Sequence, residues 1–138
     1  MLVRNAFPND YPTVADKAKE WADPIRENDS AYRIMIEHFR NTCFIAEDRG
    51  EIIGYLLGFK SQSSPDEAVI YLVHVAPRLR GNGVGRRLFN QYQAAVKALG
   101  CRKILALGEP ENKSCAAYYQ AMGLKATGEH TALWVKEL

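Results

Sequence analysis

The sequence predicts an α/β domain in which a twisted, mixed sheet of six to seven strands carries four helices distributed over its two faces. Apolar strand patterns and amphipathic helical patterns follow one another in the order β-α-α-β-β-β-α-β-α-β-β. A glycine-rich loop separates the most apolar strand from the helix that follows it. The strands on either side of that helix are expected to be parallel, because a crossover helix joins them.

The first half of the chain is predicted to hold one strand, two helices and a hairpin. In chain order these are a strand at 2–6, a helix from Asn9 that breaks at 21–24, and a helix from Asp29 or Ser30. The hairpin consists of residues 42–47 and 51–59 about the turn at 48–50, and a polar loop follows at 61–67. Gly54, inside the second hairpin strand, indicates a bulge or a close backbone approach.

The central strand and the helix after it dominate the second half. Residues 69–75 form an apolar, β-branched run that is typical of a strand buried on both faces, and Pro77 ends it. The following helix ends at Gly100, and its apolar face is formed by Val84, Leu88, Tyr92, Val96 and Leu99. The remaining elements are a strand at 103–107, a helix from Asn112 to Met122, and two strands at 124–127 and 131–136.

The loop between the central strand and its helix has the composition of an anion site. Gly81, Gly83 and Gly85 let a ligand approach the backbone, and the first N–H groups of the helix have no internal acceptor. Four arginines surround this helix start, where each cation costs up to about 1 kcal/mol against the macrodipole; they are Arg78, Arg80, Arg86 and Arg87. A bound polyanion explains this cluster, and a solvated basic turn is the alternative. The spacing excludes a dinucleotide fingerprint and a P-loop.

Composition limits the classes of protein that remain. The net charge of +2 argues against bulk nucleic-acid binding, and no apolar run approaches the length of a membrane span. Length and composition fit one domain, residues 1–138. The three cysteines lack a metal-ligand or C-x-x-C spacing, which predicts reduced thiols, a cytoplasmic protein and no metal site. The sequence leaves a homodimer open.

Two motifs resemble those of the GNAT superfamily of N-acetyltransferases. The run from Arg80 to Gly85 resembles that family's R/Q-x-x-G-x-G/A loop. The segment from Asn112 to Gly123 resembles its later motif, in which an asparagine opens a helix, a tyrosine follows two turns on and Gly-Phe closes it; Leu124 replaces the phenylalanine here. Together with the element order, the resemblance covers the chain from about Ile45 to Gly128 and implies a GNAT-like fold.

The resemblance implies that acetyl-coenzyme A is the co-substrate. Its pyrophosphate is expected on the backbone of Gly81, Asn82, Gly83, Val84, Gly85 and Arg86, with Arg80, Arg86 or Arg87 adding charge-assisted bonds. Backbone groups of Val73 and Val75 are implied to pair with the pantetheine arm, and the Val75 N–H to polarise the thioester carbonyl. Asn112 is expected to cap its helix and hold the pantetheine. Tyr119 is the candidate general acid, because a phenol stays protonated at neutral pH; Tyr118 is the fallback, and packing is the alternative for both.

The sequence does not supply a general base. Family members carry one on the central strand, on the face attributed here to Val69, Tyr71 and Val73, or at the position of Leu107. None of these residues is a base, and His74 is expected on the opposite face as a structural histidine. Glu67, Glu109 and Glu111 acting through a water, or attack by an already neutral amine, remain open. The acceptor site is expected near Trp21, Asp23, Arg26, Glu27, Tyr32 and Trp134.

These expectations describe an acetyl-CoA-dependent N-acetyltransferase acting on a primary amine of a small molecule or peptide. The transfer is expected to be direct, because Cys115 lies in an alanine-rich helix where a thiol is normally a packing residue. The alternative function is an acyl-CoA-binding sensor or regulatory domain without turnover. A nucleic-acid-binding module is disfavoured, because aromatic side chains are not interleaved with the arginines.

Overall fold

The computed structural model describes residues 1–21, 30–108, 112–128 and 132–138. Within them the order of strands and helices is the one predicted from the sequence. The elements are β1 (Leu2–Asn5), α1 (Tyr11–Glu20), α2 (Ser30–His38), β2 (Cys43–Asp48), β3 (Glu51–Lys60), β4 (Glu67–Val75), α3 (Val84–Ala98), β5 (Lys103–Leu107), α4 (Lys113–Ala121), β6 (Lys125–Ala126) and β7 (Leu133–Glu137). No helix among the described residues is long and apolar enough to span a membrane.

The strands form one seven-stranded mixed sheet in the order β1-β2-β3-β4-β5-β7-β6. Among the strands of the described residues, only β4 and β5 are parallel, as the crossover through α3 requires. Their pairing is short, because it runs from Glu67 opposite Lys103 to Ile70 opposite Ala106 and stops there. Residues 72–75 of β4 are therefore paired with β3 on one side, and residues 71–75 are paired with no residue of β5 on the other. The stretch 71–75 is called the open edge of β4 below.

The two faces of the sheet carry separate apolar cores. Helices α3 and α4 cover one face, where Leu88, Tyr92 and Val96 of α3 are fully buried. Leu99 was expected on the same helical face but is 44% exposed. The helix ends just before it, and Gly100 turns the chain away with a φ of 91°.

Helices α1 and α2 cover the other face, which is rich in aromatic side chains. Trp21 stacks on Tyr55 with ring centroids 5.9 Å apart, and Tyr32 meets Tyr55 edge-on at 6.1 Å. All three are buried in one cluster with the apolar residues of α1 and α2. The predicted placement of helices on both faces is confirmed.

A β-bulge in β4 changes which side chains share a face. Leu57 of β3 is paired with Leu72, whereas the next residue, Gly58, is paired with Ile70, so Tyr71 is the extra residue. Tyr71 and Leu72 consequently both pack on the α1/α2 side.

The expectation that Val69, Tyr71 and Val73 share one face is therefore wrong. Val73 lies against the α3/α4 core, whereas His74 contacts Tyr55 on the α1/α2 side. Strand alternation places Val69 on that second side too, since Ala68 and Ile70 flank it in the α3/α4 core. His74 thus shares the face of Val69 and Tyr71, contrary to the sequence-based expectation.

A partly buried ion pair anchors the N-terminal strand. Both Nη atoms of Arg4 donate to the carboxylate of Asp10, at 2.8 and 3.0 Å, and the Phe7 N–H donates to the same carboxylate at 2.7 Å. Burial would raise the pKa of Asp10, but the hydrogen bonds from Arg4 and Phe7 outweigh it and lower that pKa. Asp10 therefore stays ionised in the folded protein to a lower pH than an ordinary aspartate does.

Candidate active site

The loop after β4 presents unpaired backbone N–H groups to solvent. Gly81 and Gly83 both have a φ of 85°, a left-handed conformation that a glycine adopts without strain. In the described part of the chain, the Arg80 and Asn82 N–H groups donate to carbonyls of the preceding short turn. Those of Gly81 and Gly83 have no backbone acceptor there, and the first-turn amides of α3, at Val84, Gly85 and Arg86, have none within the helix.

Three of the four arginines around this loop lack a carboxylate partner among the described residues. Arg78 is paired with Glu51 at 3.3 Å. Arg80 Nε donates to the Val75 carbonyl at 3.3 Å, and Arg87 Nη1 donates to the Met1 carbonyl at 3.2 Å. Arg86 has neither an ion pair nor a side-chain hydrogen bond in the part of the chain described. Within the described ranges, the positive charge of these three arginines beside the free amides is not compensated, which suits a polyanion.

Gly85 is a glycine for a different reason from Gly81 and Gly83. A Cβ atom on Gly85 would lie 2.8 Å from the ring of Tyr118, whereas nothing lies within 4 Å of the corresponding point on Gly81 or Gly83. The Tyr118 hydroxyl also donates to the Gly85 carbonyl at 2.9 Å. Tyr118 thus fixes α4 to the first turn of α3, a contact for which the sequence carries no signal.

Backbone direction along the open edge of β4 agrees with the predicted roles of Val73 and Val75. The Ala76 N–H donates to Ile53 of β3, at 2.8 Å. Because N–H and C=O groups of successive strand residues point to opposite sides, those of Val73 and Val75 point away from β3. They face the gap left where β5 ends, and the Val75 carbonyl is already contacted by Arg80. An extended ligand could pair with this edge as an added strand.

Tyr119 lies where β4 and β5 separate. Its hydroxyl donates to the carbonyl of Leu107, the last residue of β5, at 2.9 Å. The ring is 4% exposed and contacts Trp134 at a centroid distance of 5.6 Å. Burial, followed by the neighbouring Cys115, raises the pKa of Tyr119 above that of a free phenol, so the hydroxyl stays protonated.

Asn112 is the N-cap of α4, as predicted. Its side-chain oxygen accepts a hydrogen bond from the Cys115 N–H at 3.1 Å. Cys115 packs beside Gly108 and Tyr119, and burial raises the pKa of its thiol. A thiol held protonated is a poor nucleophile, which is consistent with the expectation of direct transfer.

The described residues among those expected at an acceptor site are separated by the fold. Trp21 and Tyr32 lie together on the α1/α2 side, whereas Trp134 is 2% exposed in the α3/α4 core and donates to the Gly108 carbonyl. Trp134 is therefore a core residue and not part of an acceptor site. Asp23, Arg26 and Glu27 lie outside the described residues.

Of the three glutamates considered as bases, only Glu67 lies among the described residues. Glu67 is at the start of β4, opposite Lys103, and its carboxylate lies 3.8 Å from the Lys103 ammonium. It is eight residues along the strand from Val75, so its carboxylate cannot reach the Val75 end of the open edge. Glu109 and Glu111 lie outside the described residues. Sequence reasoning missed a pair on the α1/α2 side, in which His74 Nδ1 and the Tyr55 hydroxyl are 2.9 Å apart.

Comparison with known proteins gives the family and the fold. The chain is 30% identical over 116 residues to the L-2,4-diaminobutyric acid acetyltransferase of Shouchella clausii, and the match covers 80% of this chain and 65% of that relative's length. Diaminobutyrate acetyltransferase EctA of Paenibacillus lautus, solved with L-2,4-diaminobutyric acid and coenzyme A, superposes with a TM-score of 0.81 and 20% identity over 99% of this chain and 93% of its own. Ard1 of Thermoplasma volcanium gives a TM-score of 0.86 and 18% identity over 99% and 97%.

The two solved structures share the fold of this chain, which confirms the predicted fold class. The chain also matches the acetyltransferase (GNAT) family over residues 4–124, a range that includes the glycine loop, the open edge of β4 and Tyr119. The resemblance drawn from the two motifs is therefore confirmed, and this protein belongs to the GNAT family of acetyltransferases.

Proposed function

We propose that this protein is an acetyl-CoA-dependent N-acetyltransferase that moves the acetyl group directly to a primary amine. The observation that carries the proposal is the open edge of β4 lying next to the unpaired amides at the start of α3. One linear ligand could bind at both places. Its anionic end would accept hydrogen bonds from the amides of α3, and the amide groups of its arm would pair with the open edge of β4. Acetyl-CoA has this chemistry.

In this proposal the loop holds the pyrophosphate. The amides from Gly81 to Arg86 donate to the phosphate oxygens, and the guanidiniums of Arg80, Arg86 and Arg87 supply charge. The absence of a carboxylate partner for these three arginines among the described residues supports this role. Arg78 is assigned no role, because Glu51 already neutralises it.

The open edge of β4 then aligns the pantetheine arm and the thioester. Val73 and Val75 hydrogen-bond the arm, and the Val75 N–H donates to the thioester carbonyl oxygen as negative charge develops there. One such donor lowers a barrier of this type by about 3 kcal/mol. Tyr119 donates its proton to the sulfur as the C–S bond breaks, and Asn112 supports the arm from the start of α4.

We propose a small amine of the L-2,4-diaminobutyrate kind as the first acceptor class and a peptide amine as the second. The match to the Shouchella clausii acetyltransferase supports the first class. The three cysteines are free thiols, which supports a reducing, cytoplasmic location.

The experiment measures the free thiol released from acetyl-CoA with three acceptors: L-2,4-diaminobutyrate, L-2-aminobutyrate and a short peptide. L-2-aminobutyrate keeps the 2-amine of diaminobutyrate and lacks its 4-amine. Turnover with an amine, and mass spectrometry of the acetylated product, is the expected result. The comparison of the two amino acids tells which amine reacts. Binding of acetyl-CoA without thiol release for any amine would contradict the proposal and identify a binding domain instead.

A further inference from the structure

Tyr118 of α4 is hydrogen-bonded to the first turn of α3, beside the glycine loop. Its hydroxyl donates to the Gly85 carbonyl at 2.9 Å, and its ring lies so close that a Cβ added to Gly85 would be 2.8 Å from it. The ring packs against the α3/α4 core and is inclined at 48° to the ring of Tyr119. The Tyr118 hydroxyl is therefore directed to the start of α3, whereas that of Tyr119 is bonded to Leu107 at the end of β5.

The carbonyl that Tyr118 contacts belongs to the same peptide group as the Arg86 N–H. That N–H is the last of the first-turn amides of α3, because the helical ladder begins where the Arg87 N–H donates to the Gly83 carbonyl at 3.1 Å. A carbonyl oxygen has two lone pairs, so that of Gly85 can accept the phenol in addition to its helical partner. One peptide group thus has a side-chain donor at its oxygen and an amide without an intrahelical acceptor at its nitrogen.

A hydrogen bond to the oxygen of a peptide group changes the donor strength of its N–H. The bond draws electron density from the nitrogen towards the oxygen, which makes the amide hydrogen more positive. Hydrogen bonds linked in this way strengthen one another by roughly 10–30% each. Here the linked groups are the Tyr118 hydroxyl, the peptide between Gly85 and Arg86, and the acceptor of the Arg86 N–H. An anionic acceptor gains most, because its bond to the amide is charge-assisted.

The Tyr118 hydroxyl remains a donor through the neutral pH range. Burial raises the pKa of Tyr118 above that of a free phenol, and this effect outweighs the nearby Arg86 guanidinium, which lowers it. Because the phenol is uncharged at neutral pH, it brings no negative charge to the loop. Tyr118 can therefore support an anion there without repelling it.

We propose that Tyr118 is a positioning residue for the cofactor, because its bond to the Gly85 carbonyl fixes and polarises the Arg86 N–H as a donor to the pyrophosphate of acetyl-CoA. This inference rests on the proposed acetyltransferase function and assigns a source of cofactor affinity within it. The role concerns the diphosphate, and the chemistry at the thioester is left to other residues. Tyr118 is thus expected to govern the affinity for acetyl-CoA and to leave kcat unchanged.

The test compares Tyr118→Phe with wild-type protein on two thioesters that share one arm. Acetyl-CoA carries the diphosphate, whereas S-acetylpantetheine ends before it. We expect Tyr118→Phe to weaken the calorimetric affinity for acetyl-CoA about three- to tenfold, the worth of one hydrogen bond. The kcat with acetyl-CoA, and kcat/KM with S-acetylpantetheine and the same amine, should stay at the wild-type values. Inorganic pyrophosphate, used as a competitor of acetyl-CoA, should bind the variant more weakly than wild type.

Two further proteins complete the design. Tyr92→Phe is the matched control, because it also loses a phenol bonded to a backbone carbonyl, that of Val69 at 2.8 Å. That carbonyl lies in the paired part of β4, so the affinity for acetyl-CoA should equal that of wild type. Replacement of Tyr118 by 3-fluorotyrosine keeps the ring and makes the hydroxyl a stronger donor, so it should tighten acetyl-CoA binding. This protein also gives the readout if Tyr118→Phe does not fold.

The outcomes separate a role at the diphosphate from a purely structural one. An unchanged affinity of Tyr118→Phe for acetyl-CoA, or an equal loss with both thioesters, would overturn the assignment. A fluorinated protein that binds acetyl-CoA no more tightly than wild type would do the same. A wild-type protein that binds acetyl-CoA but releases no thiol would contradict the proposed function alone, because the calorimetric and pyrophosphate measurements need no turnover.

Discussion

The Tyr119 hydroxyl is the proton donor that we place at the sulfur. We predict that Tyr119→Phe lowers kcat at least about tenfold, in the usual range for the loss of a general acid. Affinity for acetyl-CoA should change little, because the ring remains and only the hydroxyl bound to Leu107 is lost. The measurement is steady-state thiol release together with calorimetric titration of acetyl-CoA.

A matched control for this variant is present in α3. The Tyr92 hydroxyl also donates to a strand carbonyl, that of Val69, at 2.8 Å, and Tyr92 is fully buried. Tyr92→Phe should therefore lose a similar hydrogen bond, at a cost of about 1 kcal/mol in stability, without changing kcat. Equal turnover in the Tyr119→Phe and wild-type proteins would exclude Tyr119 as the acid.

Asp10 makes the stability of the folded protein depend on pH in a predictable way. Its pKa in the folded protein lies below the ordinary 3.8, so the Arg4–Asp10 pair stabilises the native state fully above that pH. This contribution is lost as the pH falls from 3.8 through the lower folded-state pKa. We predict that Asp10→Asn is less stable than wild type at pH 7 and that the difference shrinks at low pH.

Urea denaturation at a series of pH values measures this difference. Asp16→Asn, which changes an exposed carboxylate on the adjacent helix α1, is the control and should leave stability nearly unchanged at pH 7. A stability difference for Asp10→Asn that is constant between pH 7 and pH 2 would contradict the proposed linkage.

At the scale of secondary-structure elements, the start of α3 is the proposed anion site. We predict that Gly83→Asp abolishes acetyl-CoA binding, because a carboxylate placed at the N-cap of α3 repels the pyrophosphate and occupies its space. Gly100→Asp is a close control at the other end of the same helix. Both glycines have positive φ, 85° and 91°, and a Cβ added to either would have no atom within 4 Å. The two variants thus share the backbone strain and the added charge.

Calorimetric titration with acetyl-CoA separates the effect of a charge at the pyrophosphate site from the effect of backbone strain. Gly100→Asp should bind acetyl-CoA as wild type does, although both variants lose stability from the left-handed backbone conformation. Retained binding in Gly83→Asp, or an equal loss in both variants, would mean that the loop is not the pyrophosphate site.

The strands, the helices and the glycine loop follow from local patterns, which is why they were predictable. The left-handed turn at Gly83 and the N-cap at Asn112 are likewise local properties of the residue types. The side of the sheet on which a residue lies depends on every pairing before it. One extra residue, Tyr71, reverses the alternation along β4 and places His74 on the α1/α2 side.

The expectation that Trp134 lies near the acceptor site was wrong for a related reason. A strand at the end of the chain can pair anywhere in the sheet, and an aromatic residue in it can face either layer. The structure pairs β7 between β5 and β6 and seats Trp134 against Tyr119. Neither the position of the strand nor the identity of its neighbours is encoded within β7 itself, so the sequence pattern could not supply them.

For the whole molecule, ligand binding should raise the unfolding temperature. At acetyl-CoA concentrations 100-fold above Kd, binding to the native state alone adds about 2.7 kcal/mol. For a domain of this size that corresponds to a rise in Tm of roughly 5 to 10 °C. Differential scanning fluorimetry measures it, with single-stranded DNA and the Gly83→Asp protein as controls that should show no rise. A similar rise with DNA would point to non-specific binding by the arginines.

The short contact between β4 and β5 has a further consequence. Within the sheet, four residue pairs between β4 and β5 join the strands β1 to β4 to the smaller group of β5, β6 and β7. In the proposed function, a cofactor paired with the open edge of β4 would extend the contact between these two groups of strands. Release of coenzyme A would remove that added contact, so the two groups would be held together more firmly with the cofactor bound than without it.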